Sequence, residues 1–130
     1  MGTTTTLASG LQYPAAIAVG SAGVYGTDTN DETVMAVGLS GGTPTTLASG
    51  NGNGVGSNVD DPVSLTVDSK NVYWTNGGNA SVMSVPVGGG SVTTLSVSPN
   101  DADPDGIAVT ASAVFFGADG NGTIQELTPK

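Results

Sequence analysis

The stretch Pro62–Val87, PVSLTVDSKNVYWTNGGNASVMSVPV, reads as three short strands separated by turns. Leu65–Val67, Val72–Thr75 and Ser81–Val87 are rich in Val, Thr and aromatic residues, while DSKN and GGNA between them are turn formers. The same order recurs upstream at Pro14, Ile17–Val19, Val24–Thr27 and Thr33–Leu39. It recurs downstream at Pro104, Ile107–Val109, Val114–Gly117 and Thr123–Pro129. A Thr-Thr-Leu triplet precedes each proline, at Thr5–Leu7, Thr45–Leu47 and Thr93–Leu95.

The spacings hold the three copies in register. Proline to the first aliphatic residue is three positions each time (14 to 17, 62 to 65, 104 to 107), and that residue to the aromatic is eight (17 to 25, 65 to 73, 107 to 115). Only the step from the triplet leucine to the proline varies, at 7, 15 and 9 positions. Variation confined to one junction is the behaviour of a loop between elements of fixed register. The repeats cover residues 2–41, 42–89 and 90–130 of a single domain, 1–130. A period in this range decides the architecture before any single residue does.

Composition agrees with short strands and tight turns. There are 21 glycines in 130 residues, Val and Thr are frequent, and long helix-favouring runs are missing. No apolar run approaches the length of a membrane-spanning helix, and the N-terminus has no basic region followed by an apolar one. Cysteine is absent, so disulfides are excluded. Eleven acids face two lysines, Lys70 and Lys130, with no His and a formal charge of -9. A phosphate backbone or an anionic membrane needs clustered Lys and Arg, so neither nucleic acid nor a membrane surface is an expected partner.

Each copy supplies four β-compatible segments, A to D in pattern order. Segment A is Ile17–Val19, Leu65–Val67 and Ile107–Val109; B is Val24–Thr27, Val72–Thr75 and Ala113–Gly117. Segment C is Thr33–Leu39, Ser81–Val87 and Thr123–Leu127; D is Thr4–Ala8, Thr45–Ala48 and Val92–Ser96. Serial four-stranded antiparallel units predict an all-β fold, a β-propeller with three blades per chain. The residues also resemble a family. Val72-Tyr73-Trp74-Thr75-Asn76 is similar to the YWTD motif of YWTD-type propellers, and Val24–Asp28 is a degraded version. Pro104–Val109 resembles the P-x-G-I-A-V strand shared by YWTD and NHL-like propellers. The chain departs from the family at Gly26 and at Phe116-Gly117-Ala118. The resemblance implies a fold that usually closes with six blades and, for location, a bacterial extracytoplasmic or cell-surface setting. It is nearly silent on activity. The aromatics Tyr25, Tyr73, Trp74, Phe115 and Phe116 recur at one strand position, which predicts packing between blades.

The order along the chain is D-ABC three times, so the N-terminal D segment and the C-terminal C segment each lack a partner. Three blades fall short of the usual four to eight. Two chains exchanging Thr4, Thr5, Thr6, Leu7 and Ala8 onto Thr123, Ile124, Gln125, Glu126 and Leu127 give a homodimeric six-bladed ring with twofold symmetry. Strand donation that stays open builds a filament instead.

Nine of the eleven acids fall in D–A and B–C connections, which share one face of such a fold. Asp31, Glu32, Asp60, Asp61, Asp101, Asp103 and Asp105 are the candidate residues for a cation, a basic partner or a glycan. Asp101, Asp103 and Asp105 match the start of a Ca²⁺ loop, but Ser112 stands where its last carboxylate is required. The competing reading takes these residues as turn formers and solubilising charge. Without His or Cys the usual nucleophile–base pairs cannot be built. Some propellers hydrolyse lactones with a metal held by Glu, Asn and Asp, but the spacing here gives no sign that such residues converge. The expected role is therefore a non-enzymatic binding or scaffold module that associates with itself, with no required cofactor.

Overall fold

Each of the three prolines opens a strand, the one strand position where a missing N–H breaks no ladder. The structure is a computed structural model that describes residues 1–51, 57–97 and 103–130. Asp101 lies outside the described residues. The first sheet contains β1 (Pro14–Val19), β2 (Val24–Asp28), β3 (Thr33–Val37) and β4 (Thr45–Ser49). The second contains β5 (Pro62–Val67), β6 (Asn71–Asn76), β7 (Ser81–Pro86) and β8 (Thr93–Val97). The third contains β9 (Pro104–Val109), β10 (Val114–Ala118) and β11 (Thr123–Leu127). Strands are antiparallel and in sequence order within each sheet, and among the described residues β11 has no strand on its far side.

Several segment boundaries differ from the sequence reading by one to three residues. Segment A starts at its proline rather than three residues later. Segment C ends by Val37 in the first blade because the chain turns through Gly41 and Gly42 (φ 80° and 139°). The second blade repeats this turn at Gly89 and Gly90 (φ 85° and 136°), conformations that favour glycine. The third D segment sits at Thr93–Val97, one residue later than expected.

The larger correction concerns Thr4–Ala8, which is not a strand. Thr5–Gly10 reads TTLASG, identical to Thr45–Gly50, yet only the second copy pairs. β4 has β3 beside it, with Val34 opposite Ala48 and Met35 opposite Thr46. Thr5–Ser9 has no such neighbour. One sequence in two states shows that the neighbouring strand, not local propensity, decides the outcome.

The core lies between sheets. Tyr25, Val34 and Ala48 of the first blade pack with Val72, Trp74, Met83 and Val85 of the second. Tyr73 and Val82, on the second blade's other face, pack with Val114 and Phe116 of the third. Strand alternation thus sends Trp74 back to one neighbour and Tyr73 on to the next. Tyr25, Tyr73, Trp74 and Phe116 pack between blades, as expected; Phe115 does not. Inter-blade hydrogen bonds add register: Thr29 Oγ1 donates to Pro62 O (3.3 Å), Thr75 Oγ1 to Asp105 O (3.1 Å) and Ile107 N to Ser64 Oγ (3.4 Å).

Candidate functional site

Two outer faces of the blade row have no blade against them, and the repeat supplies the comparison that gives them meaning. Val34 and Val82 hold the second position of β3 and β7 and are 0% and 1% exposed. Ile124 holds the same position in β11 and is 85% exposed. At the opposite end, Ile17 is 72% exposed, whereas its counterpart Leu65 is 6% exposed. Val19 is exposed too. Large β-branched side chains thus stand in water at positions that are buried or half-buried in the other copies.

The N-terminal segment rests on the Ile17 face of the first blade. Leu7 O accepts a hydrogen bond from Gly42 N (3.0 Å), and Leu7, Ala8 and Leu11 wall a cavity of about 310 Å³ against Ile17, Met35 and Val37. The root of the segment is fixed. Asp28, fully buried, accepts from Gln12 N (2.7 Å), Tyr13 N (2.9 Å) and Asp31 N (3.3 Å). Asn76 does the same work one blade on. Its Oδ1 accepts from Asp60 N and Trp74 Nε1 (both 3.1 Å), and its Nδ2 donates to Asn58 O (3.2 Å) and Ser81 Oγ (3.0 Å). Both side chains tie a D–A connection to the end of strand B. Residues 12 and 13 are therefore held like an intact D–A connection although no D strand precedes them. Sequence reasoning missed this pair; the signal was an Asp or Asn closing strand B in two blades, with Ala118 replacing it in the third.

The described candidate acids are largely engaged in shaping the chain. Asp61 and Asp103, each just before a strand A proline, take left-handed backbone (φ 49° and 69°), as does Glu32 (φ 48°). Asp61 O and Asp60 O accept from Gly77 N and Gly78 N (2.9 and 3.1 Å), and Asp103 O accepts from Asp119 N (3.1 Å). Asp105 lies in β9 with its carbonyl on Thr75. Asp31 is exposed on the turn after β2. Burial first, and then the charges of Glu32 and Asp61, raise the Asp60 carboxyl above its ordinary value. Asp60 Oδ2 is buried without a hydrogen bond. Among the described residues no three His, Cys, Asp or Glu side chains are placed to hold a metal ion. Asp103 and Asp105 are described without Asp101, so the Ca²⁺ loop falls partly outside the described residues.

At the opposite end, Asp68 Oδ1 accepts from Lys70 N and Asn71 N (2.7 and 2.8 Å), and Asp68 Oδ2 accepts from Tyr73 Oη (3.0 Å) and Lys130 Nζ. The ammonium also donates to Thr110 O and lies 5.3 Å from the Tyr73 ring centre. Burial pushes the Asp68 carboxyl up, but the bonds from Lys130, Asn71, Lys70 and Tyr73 outweigh it and hold the group far below the usual carboxylate range. Burial lowers the Lys130 ammonium, but Asp68 and Tyr73 together outweigh it and raise the group above its ordinary value. This cluster closes the groove between the second and third blades.

No protein-family model and no curated protein sequence matches the chain. Solved structures share its fold. A catalytically inactive histidine-to-alanine variant of virginiamycin B lyase from Staphylococcus aureus, with quinupristin, superposes with a TM-score of 0.66 at 20% identity. The match covers 89% of this chain and 41% of that one. The selenomethionine-substituted lyase gives 0.68 at 18% identity over 91% and 42%. The computationally designed Ika4 protein gives 0.51 at 14% identity over 98% and 100%. The lyases are β-propellers, so the three sheets are propeller blades. The chain spans about two-fifths of the length of the lyases it resembles.

Proposed function

We propose that this chain is a half-propeller scaffold that completes itself with a second copy, each chain laying its N-terminal strand along β11 of the other. The observation that carries the reading is the exposure of Ile124 at 85% beside 0% and 1% for its counterparts Val34 and Val82. Apolar burial stabilises by roughly 25 cal/mol per Å², so two such faces in water are a standing drive for association. Two observations support the same partner. The only described C strand without a D strand is β11, and the N-terminal segment repeats the sequence of a D strand that pairs in the first blade. Asp28 also holds the root of that segment in the connection geometry. A second chain is the right size to supply most of what the lyases have beyond this one.

In this reading the assembled ring is non-enzymatic. The lyase variant that lacks a histidine is described as catalytically inactive, and this chain contains no His. The acidic end, centred on Glu32, Asp60 and Asp61, is the face offered to a basic or glycan partner.

A crosslink tests the exchange. By equivalence with Val34–Ala48 and Val82–Ser96, Ile124 lies opposite Ala8 of the second copy. The natural chain has no cysteine. Oxidising an Ala8→Cys, Ile124→Cys variant is expected to give a covalent dimer with two bridges. Only monomers joined within one chain, or no bridge at all, contradicts the exchange; a ladder of higher masses indicates the filament.

A further inference from the structure

The closing interface proposed above carries one charged residue that the repeat does not call for. In β10 and β11, Phe115 lies opposite Glu126. Val114, Phe116 and Leu127 pack back toward Tyr73 and Val82, so alternation places Phe115, Ile124 and Glu126 together on the outer face. The same row in the earlier blades pairs Tyr73 with Ser84 and Tyr25 with Ala36. There the row is sealed: Tyr25, Tyr73 and Ser84 are 2%, 1% and 7% exposed. A methyl and a hydroxymethyl group fit beneath the neighbouring blade. Glu126 puts a longer, charged side chain in that place.

The face that would cover it offers no counter-ion. It consists of Ile17, Val19, Val24, Met35 and Val37. The titratable group on that side is Asp28, fully buried on the Gln12 and Tyr13 amides. Of the cationic groups, Lys130 is engaged by Asp68 and Thr110, Lys70 belongs to the turn before β6 in the second blade, and the Met1 ammonium stands four residues before Thr5, which by equivalence with Ser84–Thr93 lies opposite Glu126. Desolvating a carboxylate without a partner costs several times what one apolar contact contributes. We infer that Glu126 is a charge gate on this interface: it opposes closure and keeps the association of two copies weak and reversible. The inference rests on the assembly reading.

Sedimentation equilibrium over a concentration series, on the natural chain and on Glu126→Ser, Glu126→Gln and Asp119→Asn variants, tests it. Glu126→Ser restores the residue found in the second blade. Asp119→Asn removes one charge at the far loop end and controls for the lower net charge. Both Glu126 variants are expected to tighten association at least ~10-fold, with Asp119→Asn shifting it less than about threefold. Dimers whose affinity is unchanged or weakened in Glu126→Ser overturn the gate and leave the assembly standing. If neither the natural chain nor Glu126→Ser associates at any concentration, the assembly reading falls and the gate with it. Because Glu126 is exposed in the chain, loss of folding does not confuse the result.

Discussion

Asn76 is fully buried and makes four side-chain hydrogen bonds that join the ends of two strands to the loop before β5. Replacing it with alanine strands Trp74 Nε1 and Asp60 N in a dry site. Each orphaned group costs about 1–3 kcal/mol, so Asn76→Ala should lose roughly 3 kcal/mol in urea unfolding. Two aspartates should respond to neutralisation with opposite signs. Asp68 has a lowered folded pKa, so its contribution is present above the unfolded value and is lost as pH falls through the folded one. Asp68→Asn should therefore destabilise the chain at neutral pH and flatten its stability loss in acid. Asp60 has a raised folded pKa, so its carboxylate costs stability at neutral pH, and that cost lifts as pH falls toward the unfolded value. Asp60→Asn should be neutral or stabilising in urea unfolding at neutral pH; a loss of stability would mean that Oδ2 has a partner.

Strand identity was legible wherever both partners of a ladder are in the chain. The Pro-to-aliphatic and aliphatic-to-aromatic spacings located β1, β2, β5, β6, β9 and β10, because alternation and turn chemistry are local. Thr4–Ala8 was misread for a physical reason. TTLAS becomes a strand only when a C strand is available, and availability is not written in the segment. The left-handed backbone of Glu32, Asp61 and Asp103 accounts for much of what made these acids look like ligands. The anchoring by Asp28 and Asn76 was missed because a single polar residue ending a strand carries no spacing signature. Deleting residues 1–9 should leave the blades folded and abolish association. Adding a peptide of residues 2–10 to that shortened chain should then slow hydrogen exchange at the amides of Thr123–Leu127. Unchanged exchange would show that β11 does not accept this strand.

The whole molecule is a row of three blades whose interior interfaces show what its two ends lack. Tyr25 and Tyr73 are sealed, and Phe115, next in the row, has no blade to face. Blade packing curves toward closure, and a ring protects edges that an isolated row exposes. In the proposed ring the oligomer is the functional unit, and the acidic loop end is presented twice, once per copy. Solution mass distinguishes that ring from an isolated row. Sedimentation velocity of the natural chain at tens of micromolar should show a discrete species of about twice 12.6 kDa that dissociates on dilution. A cooperatively folded chain that sediments as a 12.6 kDa monomer at every concentration would contradict it.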